Sequence, residues 1–237
     1  MFLFDHEIEE FLSLIEQAEA KELPVTDALR KDAGKNNMVF ANESAYELGG
    51  GNELSLSVDL PTSNSTFIDH DGICLFGKDL SEIEGDTPFA RITLTAISDD
   101  DLKGDELYDR LEKIRFTKYR VSPEGYMLRT AIGDKEKVRV SKDCAAGSNF
   151  SQIGSAYIKA YRQLPFVKNV MIFFFTGESP LYEELQKISE KKKGITDAVD
   201  HILKGMVIND CNACSVKELC DQVEGMREIH QEQDQKN

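Results

Sequence analysis

The chain has 237 residues, enough for one large domain or two small ones with a substantial core. Hydrophobic residues are 41% and charged residues 30%, a globular rather than a disordered composition, and no run of about 18 apolar residues exists to form an ordinary membrane span. The formal net charge of −15 argues against nucleic acid and anionic membranes as partners.

The opening run MFLFDHEIEEFLSLIEQ has no basic leader and carries acids among its apolar positions. It does not read as a secretory signal, and the expected location is the cytoplasm. Residues 5–22 predict an amphipathic helix, with Ile8, Phe11, Leu12, Ile15 and Ala18 at helical spacing. A polar connection punctuated by Pro24 and Gly34 follows. Alternation over Glu53–Leu60 predicts a strand with one buried and one wet face. The glycines at 49–51 interrupt two strand-like runs, as a wide hairpin or a close backbone approach would require. They lack the Lys-Ser/Thr ending of a phosphate-binding loop. Residues 61–87 read mainly as loop with a short strand near Gly72–Phe76, and FARITLTAIS reads as another strand.

DDDLKGDELYDRLEKIRF predicts a polar helix, and YMLRTAI and KVRVSK predict a hairpin turned by GDKE. SNFSQIGSAYIKAYRQL is the clearest helix, capped at Ser148 or Asn149. Val170–Phe175, six apolar residues in a row, predicts a central strand buried on both faces. Strand, helix, buried strand is a right-handed crossover by default. Two further helices are expected in SPLYEELQKISEKKKG and ITDAVDHILKGMV, the second capped by Thr196. The fold class is α+β: a mixed sheet with a strand-helix-strand crossover and helices gathered toward the C-terminus. The expected organisation is a helical segment at 1–35, an α+β domain at 36–205, a cysteine segment and helix at 206–230, and a frayed tail at 231–237.

Residues 113–142 hold nine Lys/Arg and three Asp/Glu, a local balance of +6 in an acidic chain. Such an island either focuses an anionic ligand or lines the outer face of strands and pairs with acids elsewhere. No acid/base pair, Ser-His-Asp order or His-rich motif is visible; the histidines at 6, 70, 201 and 230 are scattered, and His70 in DHDG suits a turn.

Three of the five cysteines fall in DCNACSVKELCDQ. Cys211 and Cys214 are spaced C-x-x-C, which lets two thiolates face one ion, and Cys220 follows near a probable helix start, where the dipole lowers a thiol pKa. An iron–sulfur cluster accepts such thiolates. Zinc, the second choice, accepts three cysteines and a histidine, with His201 and His230 on either side. A redox dithiol usually opens a helix after a strand and ranks last. Cysteines packed in a core are the remaining reading. Cys74 and Cys144 read as core or surface residues, either able to supply a fourth ligand through the fold.

The order AYELGGG (45–51), IRFTKYRVSPEGYMLRTAIGDKEKVRVSKDCAAGSNFSQIGSAYIKAYRQLPFVKNVMIFFFT (114–176) and ITDAVDHILKGMVINDCNACSVKELC (195–220) resembles acetyl-CoA synthase, the nickel–iron–sulfur subunit of the CO dehydrogenase complex and the beta subunit of archaeal acetyl-CoA decarbonylase/synthase. The resemblance spans most of the chain after about residue 40, up to the first cluster cysteines. It implies a [4Fe-4S] cubane on Cys211, Cys214 and Cys220, an α+β domain that binds coenzyme A through basic residues, with Arg115, Arg120, Arg129, Lys137 and Arg139 as the candidates, and CO dehydrogenase or corrinoid protein subunits as partners. The chain departs from that pattern in having tighter cysteine spacing, no fourth cysteine after Cys220, no Cys-Gly-Cys for nickel and no Trp. The expectation is an accessory iron–sulfur protein of anaerobic one-carbon metabolism that does not make acetyl-CoA alone; the alternative is a coenzyme A or acyl-CoA binding module with a structural metal or none.

Overall fold

The structure is a computed structural model that describes residues 3–27, 44–50, 54–102, 107–132 and 135–203. Helix α1 (Asp5–Ile15) leads to a short strand β1 (Lys21–Leu23). Strands β2 (Ala45–Leu48), β3 (Ser55–Thr62), β4 (Gly72–Phe76) and β5 (Phe89–Ile97) follow. Then come α2 (Leu107–Thr117), the hairpin β6 (Tyr126–Ile132) and β7 (Lys135–Ser141), α3 (Lys142–Gly147), α4 (Phe150–Tyr161), β8 (Val167–Thr176) and α5 (Leu181–Leu203).

Five strands form one mixed sheet in the order β1-β4-β8-β5-β3. β4 runs parallel to β8 and β3 parallel to β5, while β5–β8 and β1–β4 are antiparallel. β8 is the middle strand, and both of its faces are covered. Val170, Ile172 and Phe174 join one core, and Phe173 and Phe175 join the other. The unbroken apolar run of β8 therefore has a direct cause: neither side chain direction meets water. The helix before it is α4, as expected, but the strand before α4 belongs elsewhere. β7 sits in a second, three-stranded sheet of order β2-β7-β6, and the parallel neighbour of β8 is β4.

Helices α1 and α5 cover one face of the large sheet. Phe11 meets Phe173 edge-on at 4.9 Å between ring centroids, and Phe76 stacks on Phe175 at 4.6 Å. α1 ends at Ile15 rather than near residue 22, because residues 21–23 leave the helix to pair with β4. α4 covers the other face. Asn149 caps it through the Gln152 amide, and Phe150 packs on Phe174 at 4.6 Å. Gly154 lets α4 come close, since a Cβ there would lie 2.8 Å from the Ile73 side chain.

The two helices expected after residue 179 are one. α5 runs through Gly194, and the Thr196 hydroxyl donates to the Lys192 carbonyl at 3.0 Å instead of capping. A glycine inside a helix costs about 1 kcal/mol. The buried stripe Leu185, Ile188, Ile195, Ala198 and Val199 continues across it and outweighs that cost. No helix among the described residues is long and apolar enough to cross a membrane.

No hairpin joins β2 to β3, and of the glycines at 49–51 the last lies outside the described residues. β2 and β3 lie in different sheets, and Gly49 adopts φ 68° where the chain passes between them. Gly49 N donates to the Thr87 carbonyl at 2.8 Å.

Candidate functional site

Alternation along β3 and β5 puts Ser57, Asp59, Arg91, Thr93 and Thr95 on one face, the face expected to be wet. All five are buried. α4 and the small sheet close over them, so the polar side of each strand meets a second polar surface instead of solvent.

Arg91 is the centre of this interior cluster and is 0% exposed. It reaches Glu136 through two nitrogens, Nε to Oε1 at 3.2 Å and Nη2 to Oε2 at 2.8 Å. Nη1 donates to Asp59 at 3.2 Å and to the Thr93 hydroxyl, and Nη2 donates to the Ser57 hydroxyl at 2.6 Å. The guanidinium carbon lies 4.5 Å from the centre of the Tyr157 ring. Tyr157 donates to Glu136 at 3.0 Å, and Tyr161 donates to Asp59. Lys118, 1% exposed, adds a second buried cation. Lys192 of α5, also buried, adds its charge at Asp59, so the two carboxylates of β3 and β7 face cations from β5, the turn after α2 and α5.

The charge states follow from this pairing. Burial pushes the Glu136 carboxyl up, but Arg91, by charge and hydrogen bond, and then Lys118 hold it below the ordinary carboxylate range. Burial acts the same way on Asp59, where Arg91, Lys118 and the Tyr161 hydroxyl prevail and lower it. Burial works against the Arg91 charge, and Glu136 leads the groups that overcome it and keep the guanidinium protonated. Burial and Glu136 raise the Tyr157 phenol, and burial and Asp59 raise that of Tyr161, so both remain donors. Every component is complementary, and the cluster acts as a clamp that joins the small sheet to the large one through Glu136 and Arg91. Ser55 adds a hydrogen bond to the Glu136 carbonyl at 2.5 Å.

Sequence reasoning missed this cluster. Glu136 falls in the stretch GDKE assigned to a turn, whereas β7 starts at Lys135 and sends Glu136 inward. The available signal was compositional: a lone arginine in FARITLTAI and a lone aspartate in LSVDL, each in an otherwise uncharged strand.

The basic island divides. Glu47 of β2 pairs across the strands with Arg139 of β7 and accepts from its Nε at 2.6 Å. Arg129 donates to the same oxygen at 2.6 Å. Arg129 occupies the register shift between Leu128 and Thr130, a bulge of the kind that re-aims a side chain. Lys137 is two residues from Arg139 on β7 and so shares its face. The structure thus brings Arg129 and the buried Arg139 together at Glu47, with Lys137 on the same strand face as Arg139. The other Glu47 oxygen, Oε2, is buried and has no hydrogen-bond partner among the described residues. Arg115 and Arg120 are on α2 and the turn after it, where Arg115 pairs with Glu112 at 2.9 Å and Arg120 is exposed. For this part of the island the second expectation applies: the bases line a strand face, and an acid already engages two of them.

Cys211, Cys214 and Cys220 lie outside the described residues, as does His230. The donor set itself is three soft thiolates at C-x2-C-x5-C spacing, which suits an iron–sulfur cluster or zinc with a further ligand. Among the described residues no group of three His, Cys, Asp or Glu is placed to hold a metal. Cys144 is wholly buried on α3 in the core shared with Tyr126, and Cys74 is half-buried on β4 against the opposite core. Burial, and then Glu22, raise the Cys74 thiol, away from the thiolate a ligand needs. Asp69 and His70 pair with each other on the surface, as fits a turn. Neither any protein-family model nor any curated protein matches the chain.

Proposed function

We propose that this chain is an acetyl-CoA-synthase-like protein that carries an iron–sulfur cluster and serves as an accessory subunit in anaerobic CO and acetyl-CoA metabolism. The reading rests on the C-x2-C-x5-C triplet, which follows an order of segments that resembles the one before the cluster cysteines of acetyl-CoA synthase. Cys211, Cys214 and Cys220 would hold the cluster, and a bound cluster supplies one-electron transfer. The burial of Cys144 and the raised thiol of Cys74 favour a fourth ligand from elsewhere, from CO dehydrogenase or a corrinoid protein subunit in the assembled complex. Protein purified anaerobically from iron-replete cells is expected to contain about four irons and four sulfides per chain. The Cys211→Ser/Cys214→Ser variant is expected to lose them. A colourless, iron-free preparation counts against the reading.

A second reading has its own observation. Arg129 and Lys137 flank the buried Arg139 on one strand face, and cations so grouped suit the phosphates of coenzyme A or an acyl-CoA. Glu47 competes for two of them. Glu47→Gln removes that competing charge and is expected to tighten coenzyme A binding several-fold by calorimetry, while Arg129→Ala/Arg139→Ala abolishes a salt-sensitive signal. Equal affinity in the wild type and Glu47→Gln removes this face from the site.

A further inference from the structure

The largest exposed aromatic side chains among the described residues stand side by side. Phe116 is 48% and Tyr119 50% exposed, with ring centroids 5.8 Å apart. Cations surround them. The Arg115 guanidinium carbon lies 5.7 Å from the Phe116 ring centre and Lys118 Nζ 5.8 Å from that of Tyr119, and Arg120 is exposed beside them. Adjacent aromatics flanked by arginine are the composition of an interface centre rather than of ordinary surface.

The same molecule carries a surface of opposite character. A groove of about 470 Å³ runs between the end of α1, β4 and the start of α5, where Leu14, Ala18, Phe76 and Leu181 line it together with the polar Gln17, Thr176 and Ser179. Glu19 and Glu178 lie on its exposed rim, and no Lys or Arg lines it. The last turn of α1 also lacks a basic residue, so the partial negative charge of its C-terminus is not offset there.

We propose that the Phe116–Tyr119 patch of one copy docks into the Glu19/Glu178-rimmed groove of a second copy. The two aromatic rings pack on the groove's apolar side chains, and Arg115 and Arg120 meet the rim carboxylates. Patch and groove are different surfaces, so the contact is heterologous and either closes a ring or extends a chain of copies. A symmetric contact of patch on patch would set Arg115 and Arg120 against their own kind, which like-charge repulsion disfavours. The contact is small, in the class below about 1,200 Å² of buried surface, and therefore weak and reversible.

Sedimentation velocity of the full chain tests this at physiological salt, where the general repulsion of a −15 chain is screened beyond about 8 Å. The wild type is expected to shift to higher mass between about 10 μM and about 1 mM. Phe116→Ser/Tyr119→Ser, Arg115→Glu/Arg120→Glu and Glu19→Lys/Glu178→Lys are each expected to stay monomeric, with unchanged circular dichroism because all six side chains are at the surface. Mixing the last two variants restores opposite charges across the contact, and association is expected to return. A wild type that stays monomeric throughout overturns the proposal. So does association that survives the aromatic substitutions, or charge variants that fail to associate when mixed.

Discussion

Arg91→Met is expected to lower stability by about 3–5 kcal/mol, the range for removing one partner of a buried ion pair. The cause is the charge left behind. Glu136 is 0% exposed and Asp59 5%, and without the guanidinium both carboxylates remain in a dry interior. Against a total of about 5–15 kcal/mol, this loss brings the protein near its unfolding threshold. Glu136→Leu alone should cost a similar amount by stranding Arg91. The double variant Arg91→Met/Glu136→Leu removes both members of the pair and leaves Asp59 with Lys118 and Lys192, and it is expected to be less destabilised than the sum of the two single variants by at least about 2 kcal/mol. Urea midpoints of the four proteins give the coupling directly. Additive effects would mean that Arg91 and Glu136 do not act as a pair.

The second large effect is the response to acid. Asp59 and Glu136 have folded pKa values below the ordinary carboxylate range. Their contribution is fully present above the unfolded values near about 4 and is lost as pH falls through the folded ones. Asp5 and Glu7 act in the opposite sense. Burial raises both, Asp5 against its hydrogen bond from Thr62, so they cost stability at neutral pH and the cost is relieved as they take protons. Stability should therefore rise slightly as pH falls from neutral toward 5, then drop below about 4 with a slope of up to about 1.4 kcal/mol per pH unit for each proton bound. In Arg91→Met the balance on Asp59 and Glu136 shifts toward burial, which raises a carboxyl. The low-pH decline should flatten or change sign. Urea midpoints from pH 7 to about pH 3 measure it. An unchanged acid limb in Arg91→Met would show that Arg91 is not what holds these carboxylates ionised.

The sheet could be read from sequence where burial was symmetrical and local. Val170–Phe175 reads as a strand covered on both sides, a short strand near Gly72–Phe76 and the alternating FARITLTAIS are strands in the structure, and of the two cap candidates Ser148 and Asn149 the structure uses Asn149. Reading failed where a distant element decided the outcome. The hydroxyls and charges of β3 and β5 look like a wet face until α4 and Glu136 arrive to cover them. α5 looks like two helices until its apolar stripe is laid across a sheet face longer than either half. Glu47 gave no signal of its own, although it decides whether Arg129 and Arg139 are available to a ligand. The charge excess of residues 113–142 was legible, but its separation into a strand face and an aromatic patch was not, because alternation and a bulge, rather than composition, set it.

The proposed iron–sulfur centre requires the thiolates of Cys211, Cys214 and Cys220 to converge on one cluster. Mössbauer spectroscopy of iron-labelled, anaerobically prepared full-length protein tests it most directly. A spectrum of a cubane cluster that disappears in Cys211→Ser and in Cys220→Ser is the predicted result. Protein whose only iron gives the spectrum of unligated high-spin ions, identical in the wild type and both variants, would contradict it.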